Sequence, residues 1–208
     1  MWGLGSAARG RTNGEDRMKL HKQVTITAIA GLALALSGGR LLGADLFGGD
    51  RDQRGQLSER DYRFVKEAAR GGMSEVELGD LAKQKGANDV VRNFGDRMSK
   101  DHKKANDELK DIVTKKGAAI PAQLSRTERS TMERLQKLNG AEFDKAYAAA
   151  MVKDHKKDVA DFKDAAQDVK DPELKAFAQK TIPTLEEHLR MAENMDRTVR
   201  GEAPAARR

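Results

Sequence analysis

A chain of 208 residues with 35% charged residues, 4% aromatics and no cysteine has room for one domain with extensions, and it excludes disulfides, thiolate metal sites and thiol chemistry. The net charge of +6 is concentrated at the start, where residues 1–44 carry six Lys/Arg against two Asp/Glu; the remaining 33 bases and 31 acids nearly cancel. They alternate in sign as solvated helix faces do, and the aromatics are too few to stack single strands, so no nucleic-acid partner is expected.

Residues 1–17 read as an upstream extension, because a signal architecture begins at Met18. Met18-Lys19-Leu20-His21-Lys22 is a basic stretch, Val24 to Leu36 is almost entirely apolar, and small residues follow at Ser37-Gly38-Gly39 and Gly43-Ala44. This order is that of a secretory signal peptide over 18–44, cut between Ala35 and Ala44, and it predicts a periplasmic protein. The apolar run is shorter than the roughly 20 residues a bilayer span requires. An uncleaved signal anchoring the chain to the inner membrane is the alternative; the mature chain itself carries no span. Residues 45–57, rich in Gly and Asp, read as a flexible lead-in.

The bundle domain is expected over 58–197. Ser58 starts the first long helix, whose rows Tyr62-Val65-Ala69-Met73-Val76 and Phe64-Ala68-Gly71-Leu78-Ala82 keep helical spacing. Gly71-Gly72 weakens its middle, where Ser74-Glu75-Val76-Glu77 offers a capping box for a restart, and Gly86 ends it. The second helix starts near Asn88, places Val91, Phe94, Met98, Ala105, Leu109 and Ile112 on one face, and closes at Gly117. Residues 118–140 hold Pro121 and a short helix capped by Ser125-Arg126-Thr127-Glu128. The third long helix runs over 141–170, with Phe143, Tyr147, Met151, Phe162 and Val169 inward. Asp171-Pro172 starts the fourth, which carries Leu174, Ala178, Ile182, Leu185, Leu189 and Ala192 and should kink at Pro183. Residues 198–208 read as a disordered tail.

Four long helices predict an all-α, four-helix bundle. The connection between the second and third offers about 20 Å of helix plus extended chain, enough to cross the bundle, so these two helices can run parallel as in ferritin-like folds.

Met98-Ser99-Lys100-Asp101-His102-Lys103-Lys104 recurs as Met151-Val152-Lys153-Asp154-His155-Lys156-Lys157. His102, His155 and His188 each lie near the middle of a long helix, and Glu75 near the middle of the first, so the four are expected in one layer. By the 100° rotation per residue, His155 falls within its apolar stripe, His102 inside or at the edge of its own, and His188 at the border; Glu75 interrupts a row. Glu75, His102, His155 and His188 are therefore the candidate metal ligands, with Asp101 and Asp154 as groups that could orient a ligating ring. Imidazole plus carboxylate suits Zn, Fe, Mn or Cu. The competing readings are a hydrogen-bonded polar layer that only fixes register, an exposed Asp-His-Lys-Lys face, and a relic of duplication. No Glu-x-x-His occurs, which counts against a carboxylate-bridged di-iron site. Met98 and Met151 keep core spacing and read as packing before copper handling. No phosphate loop or serine-nucleophile motif is present, and no catalytic residue is assigned.

These blocks, with Asp61-Tyr62-Arg63-Phe64, Ser74-Glu75-Val76-Glu77-Leu78-Gly79, Phe143-Asp144-Lys145-Ala146-Tyr147 and Ile182-Pro183-Thr184-Leu185-Glu186-Glu187-His188-Leu189, resemble the secreted bacterial family catalogued as domain of unknown function 4142. The resemblance covers about residues 59–197. It implies an exported, ferritin-like helical bundle and no established activity. Two functions stay open: a non-enzymatic envelope protein with a structural, interaction or stress role, acting on a protein partner or as a homo-oligomer, and a periplasmic metal-binding bundle.

Overall fold

The computed structural model describes residues 53–202. Five helices run through them: α1 Glu59–Lys85, α2 Asp89–Thr114, α3 Arg126–Gln136, α4 Gly140–Asp168 and α5 Pro172–Arg200. No strand occurs among the described residues, and none of their helices is long and apolar enough to cross a membrane. The expected extension, the signal segment with its anchor alternative, and residues 45–52 and 203–208 lie outside the described residues.

The helix starts follow from their caps. Ser58 accepts from the Asp61 amide (3.1 Å) and Asn88 from Val90 (3.0 Å). Ser125 and Glu128 form a reciprocal capping box. Asp171 accepts from Glu173 and Leu174 (both 3.1 Å), with Pro172 at the first helical position.

Three expectations need correction. First, α1 does not restart at Ser74; it is continuous through Gly71-Gly72. Any side chain at Gly72 would meet the Asn106 amide of α2, so the glycine admits a neighbour instead of breaking the helix. Second, residues 53–57 are no flexible lead-in. The Gln56 amide donates to Lys116 (3.0 Å), the Ala119 amide donates to Gln53 (2.8 Å), and Leu57 is buried. Third, the helical domain does not stop at Arg197. Buried Met195 anchors the last turns, and α5 runs on to Arg200, where Gly201 at φ 76° closes it. α5 also continues through Pro183.

The direction of each helix can be read from two apolar cores. One holds Phe64, Val65, Leu109, Val113, Phe162 and Phe177; the other holds Leu78, Val91, Phe94, Met98, Tyr147 and Met195. α1 and α5 pass from the first core to the second, whereas α2 and α4 pass from the second to the first. α2 and α4 are therefore parallel, and the segment containing α3 crosses the bundle between them. This is the one-crossover, ferritin-like order. Each tight turn is pinned by a buried aspartate from the opposite hairpin. Asp144 on α4 accepts from Ala87 (3.0 Å) and Asn88 (2.8 Å), and Asp61 on α1 accepts from Lys170 (2.8 Å).

α1 and α2 touch backbone to backbone at Gly79 and Gly95. A Cβ on Gly79 would lie 2.5 Å from the Gly95 carbonyl oxygen and 2.9 Å from the Ser99 amide nitrogen. Gly79→Ala is therefore expected to force the hairpin apart and cost about 1–3 kcal/mol of stability, the range for overpacking. Urea unfolding measures this, and a native midpoint would show that the close approach is dispensable.

Candidate metal centre

Between the two cores lies a polar layer. Each histidine sits one turn beyond a buried apolar residue on its own helix: His102 four after Met98 on α2, His155 four after Met151 on α4, and His188 three after Leu185 on α5. That spacing carries each ring onto the inward face. The rings converge, with centroids 5.8 Å (His102–His155), 5.4 Å (His102–His188) and 5.5 Å (His155–His188) apart. One nitrogen of each lies within 4.8 Å of the other two. Exposure is 7% for His102, 0% for His155 and 1% for His188.

Hydrogen bonds fix two of the tautomers. The Met151 carbonyl can only accept, so His155 donates its Nδ1–H (3.0 Å) and keeps a lone pair on Nε2. His188 donates Nε2–H to Asp101 (2.9 Å), leaving its lone pair on Nδ1. Burial works to raise Asp101, but hydrogen bonds from the Arg97 guanidinium and from His188 outweigh it and hold the carboxyl below its ordinary range. The atoms left over are His102 Nε2, His155 Nε2 and His188 Nδ1. None has a hydrogen-bond partner.

All three rings are neutral near pH 7. Burial drives His102 well below its ordinary value, and repulsion from the other two imidazoles adds to it. Burial likewise brings His155 down to about 4. For His188 burial again dominates, with Asp101 pulling partly the other way. Neutral imidazole is the form that binds metal.

Glu75 shares the layer but not the converging set, which comprises the three histidines alone among the described residues. It is fully buried, and neither carboxyl oxygen has a hydrogen-bond partner within normal geometry. Burial raises it well above its ordinary value, and the nearby carboxyls of Asp154 and then Asp158 raise it further. Asp154 hydrogen-bonds no histidine; its carboxyl acts on Glu75 and lines a cavity of about 330 Å³ that also reaches His102. The duplication explains the split. Asp101 precedes His102 and reaches across to His188 on α5, while Asp154 precedes His155 and acts on Glu75 on α1. Glu75 thus stands to Asp154 as His188 stands to Asp101.

Three participants escape the sequence reading. Arg97 lies one turn before Asp101, an i,i+4 spacing that could have revealed it. Asp158, pushed up to about 8 by burial and then by Asp154, lies one turn beyond Asp154. The Met151 carbonyl, a backbone group, leaves no signal in the sequence.

Glu75 has a folded value above its ordinary 4.5. Its contribution therefore favours folding below about pH 4.5 and is lost as pH rises through the folded value. Glu75→Gln mimics the protonated acid at every pH. The variant is expected to match the native protein near pH 5 and to become progressively more stable than it toward pH 9. Denaturant midpoints across that range check the trend, and a constant difference would contradict it.

The sequence model of a family described as Domain of unknown function (DUF4142) matches residues 49–195. A comparison with curated proteins found no match. Two solved structures are similar in fold. One is a DUF305 fragment from Deinococcus radiodurans, with TM-score 0.59, 14% identity, and coverage of 66% of this chain and 95% of that one. The other is a DUF305 protein from Streptomyces coelicolor, described as a candidate secreted protein, with TM-score 0.58, 14% identity, and coverage of 71% and 97%. At that identity they speak for the fold alone. The family match begins ahead of α1 and extends almost to the end of α5, and the chain belongs to the family described as Domain of unknown function (DUF4142).

Proposed function

We propose that this chain is an exported metal-binding bundle in which His102, His155 and His188 ligate a single transition-metal ion. One observation carries the reading: three buried histidines each bring one ring nitrogen within 4.8 Å of the others, and each ring keeps a buried nitrogen without a partner. A layer that served only to fix helix register would use its hydrogen-bonding capacity, since a buried polar atom left unpaired costs about 1–3 kcal/mol. Here the other nitrogens of His155 and His188 are bonded and the inward ones are not. The Asp101–His188 pair is the kind of contact that orients a ligating imidazole.

The donor set narrows the metal. Three neutral imidazoles with no thiolate suit Zn or Cu, then Fe; Mn, which prefers oxygen donors, fits least. A metal ion bound here would be held by His102, His155 and His188, which would supply three imidazole nitrogens. With three protein ligands a fourth position stays open, as in reactive rather than structural sites. Sequestration or weak redox chemistry in the cell envelope fits this arrangement. Glu75 then acts as a neighbouring buried acid rather than as a ligand.

The basic and apolar stretch over 18–44 supports export to the periplasm. Protein recovered from the periplasmic fraction is expected to begin between Ala35 and Ala44; N-terminal sequencing that finds Met18 there would overturn cleavage.

Tag-free protein is expected to take up one equivalent of Zn(II) or Cu(II) in a calorimetric titration. Asp101→Asn should weaken binding about 10- to 100-fold while leaving the stoichiometry at one. The triple variant His102→Ala, His155→Ala, His188→Ala should abolish uptake. Equal, substoichiometric metal in the native and triple-variant proteins would leave only the structural layer.

A further inference from the structure

Resting on the metal-binding reading above, we infer that the cavity beneath His102 is the route by which a hydrated divalent cation reaches and leaves the three imidazoles. The cavity, about 330 Å³, lies among α1, α2, α4, α5 and the start of α3. His102 forms part of its wall; this ring is 7% exposed, and its Nε2 has no partner.

The walls and the rim differ in kind. Phe64, Leu109, Phe162 and Phe177 supply an apolar, low-dielectric interior. Four carboxyl side chains, from Glu67, Glu128, Asp154 and Asp161, face it against the cations Arg70 and Lys157; the Asp158 carboxyl, pushed up to about 8 by burial, adds no full charge. Lys157 is paired with Asp161, whereas Glu67 and Asp154 form no salt bridge among the described residues. Clefts of one sign with low-dielectric walls focus the field and raise the local concentration of the opposite charge.

A second hollow, of about 280 Å³ between α2 and α5, has the reverse character and includes Arg97, Lys104 and Lys180 in its wall. Its acids are neutralised, because Arg97 pairs with Asp101 and Lys180 holds Glu108 (2.8 Å). It ends on Asp101, not on a ring nitrogen. A cation is thus favoured in the acidic cavity over the hollow between α2 and α5.

The probe is Co(II), followed by visible absorption in a stopped-flow instrument at low ionic strength. The double variant Glu67→Gln, Asp161→Asn neutralises the rim without touching the core or the histidines. It should slow association about 10-fold, and the difference should vanish in high salt. Glu108→Gln, on the other face, should stay within about twofold of native. Ala68→Phe, confirmed as folded by circular dichroism, narrows the cavity and should slow association and dissociation together, leaving the dissociation constant within about twofold. Native association in the rim variant, or slowing only in Glu108→Gln, overturns the route. If the native protein develops no cobalt absorption, the metal reading itself falls, and the route falls with it.

Discussion

A slip of one residue along a helix displaces a side chain by about 1.5 Å and swings it through about 100°. Either change would remove an imidazole from the layer. The register of four helices against one another is therefore the constraint on which the candidate centre depends. The fold fixes it with hard contacts rather than with greasy ones. Gly79 and Gly95 bring two backbones into contact, where any Cβ would clash. Buried Asp144 and Asp61 each tie a three-residue turn to the helix start of the other hairpin. Apolar packing alone tolerates rearrangement, whereas steric contact and charge-assisted hydrogen bonds in a dry interior tolerate little.

The polar layer costs the bundle stability that two solid cores could otherwise supply. Burial pushes three imidazoles below their ordinary range and a glutamic acid beside a second carboxyl above its own. The layer interrupts the apolar interior at mid-height, where burial is deepest and desolvation most severe. Arg97 moderates the cost on one side by keeping Asp101 ionised, so that Asp101 can accept from His188. On the other side Glu75 and Asp154 face each other with no cation of their own. One duplicated pattern thus yields two environments: a charged acceptor that orients a ring, and a buried glutamic acid raised by burial beside a second carboxyl.

That asymmetry extends to the surface. The face holding Arg97, Lys104 and Lys180 closes over Asp101, while the face holding Glu67, Asp154 and Asp158 opens on a cavity that touches His102. Charge alternation along the helices looks featureless in one dimension. Folding gathers it into one acidic cavity and one more basic hollow because helices distant in sequence become neighbours in space.

The sequence by itself determined the helices, their caps and the depth of the layer. Ser58, Asn88, Ser125 and Asp171 announce their helices through local hydrogen bonds that need no tertiary partner. The repeat around His102 and His155 shows two helices carrying the same polar group at the same height. Where tertiary contact overrides a local preference, that reading failed: Gly72 is accommodated because Asn106 needs its space, and residues 53–57 are ordered because Leu57 is buried. Only the tertiary structure decided which of the layer's members meet. Depth follows from counting residues, but the direction of a ring or a carboxyl depends on rotamers and on neighbours from other helices. For that reason Glu75, expected at the height of the histidines, neighbours Asp154 instead of joining them.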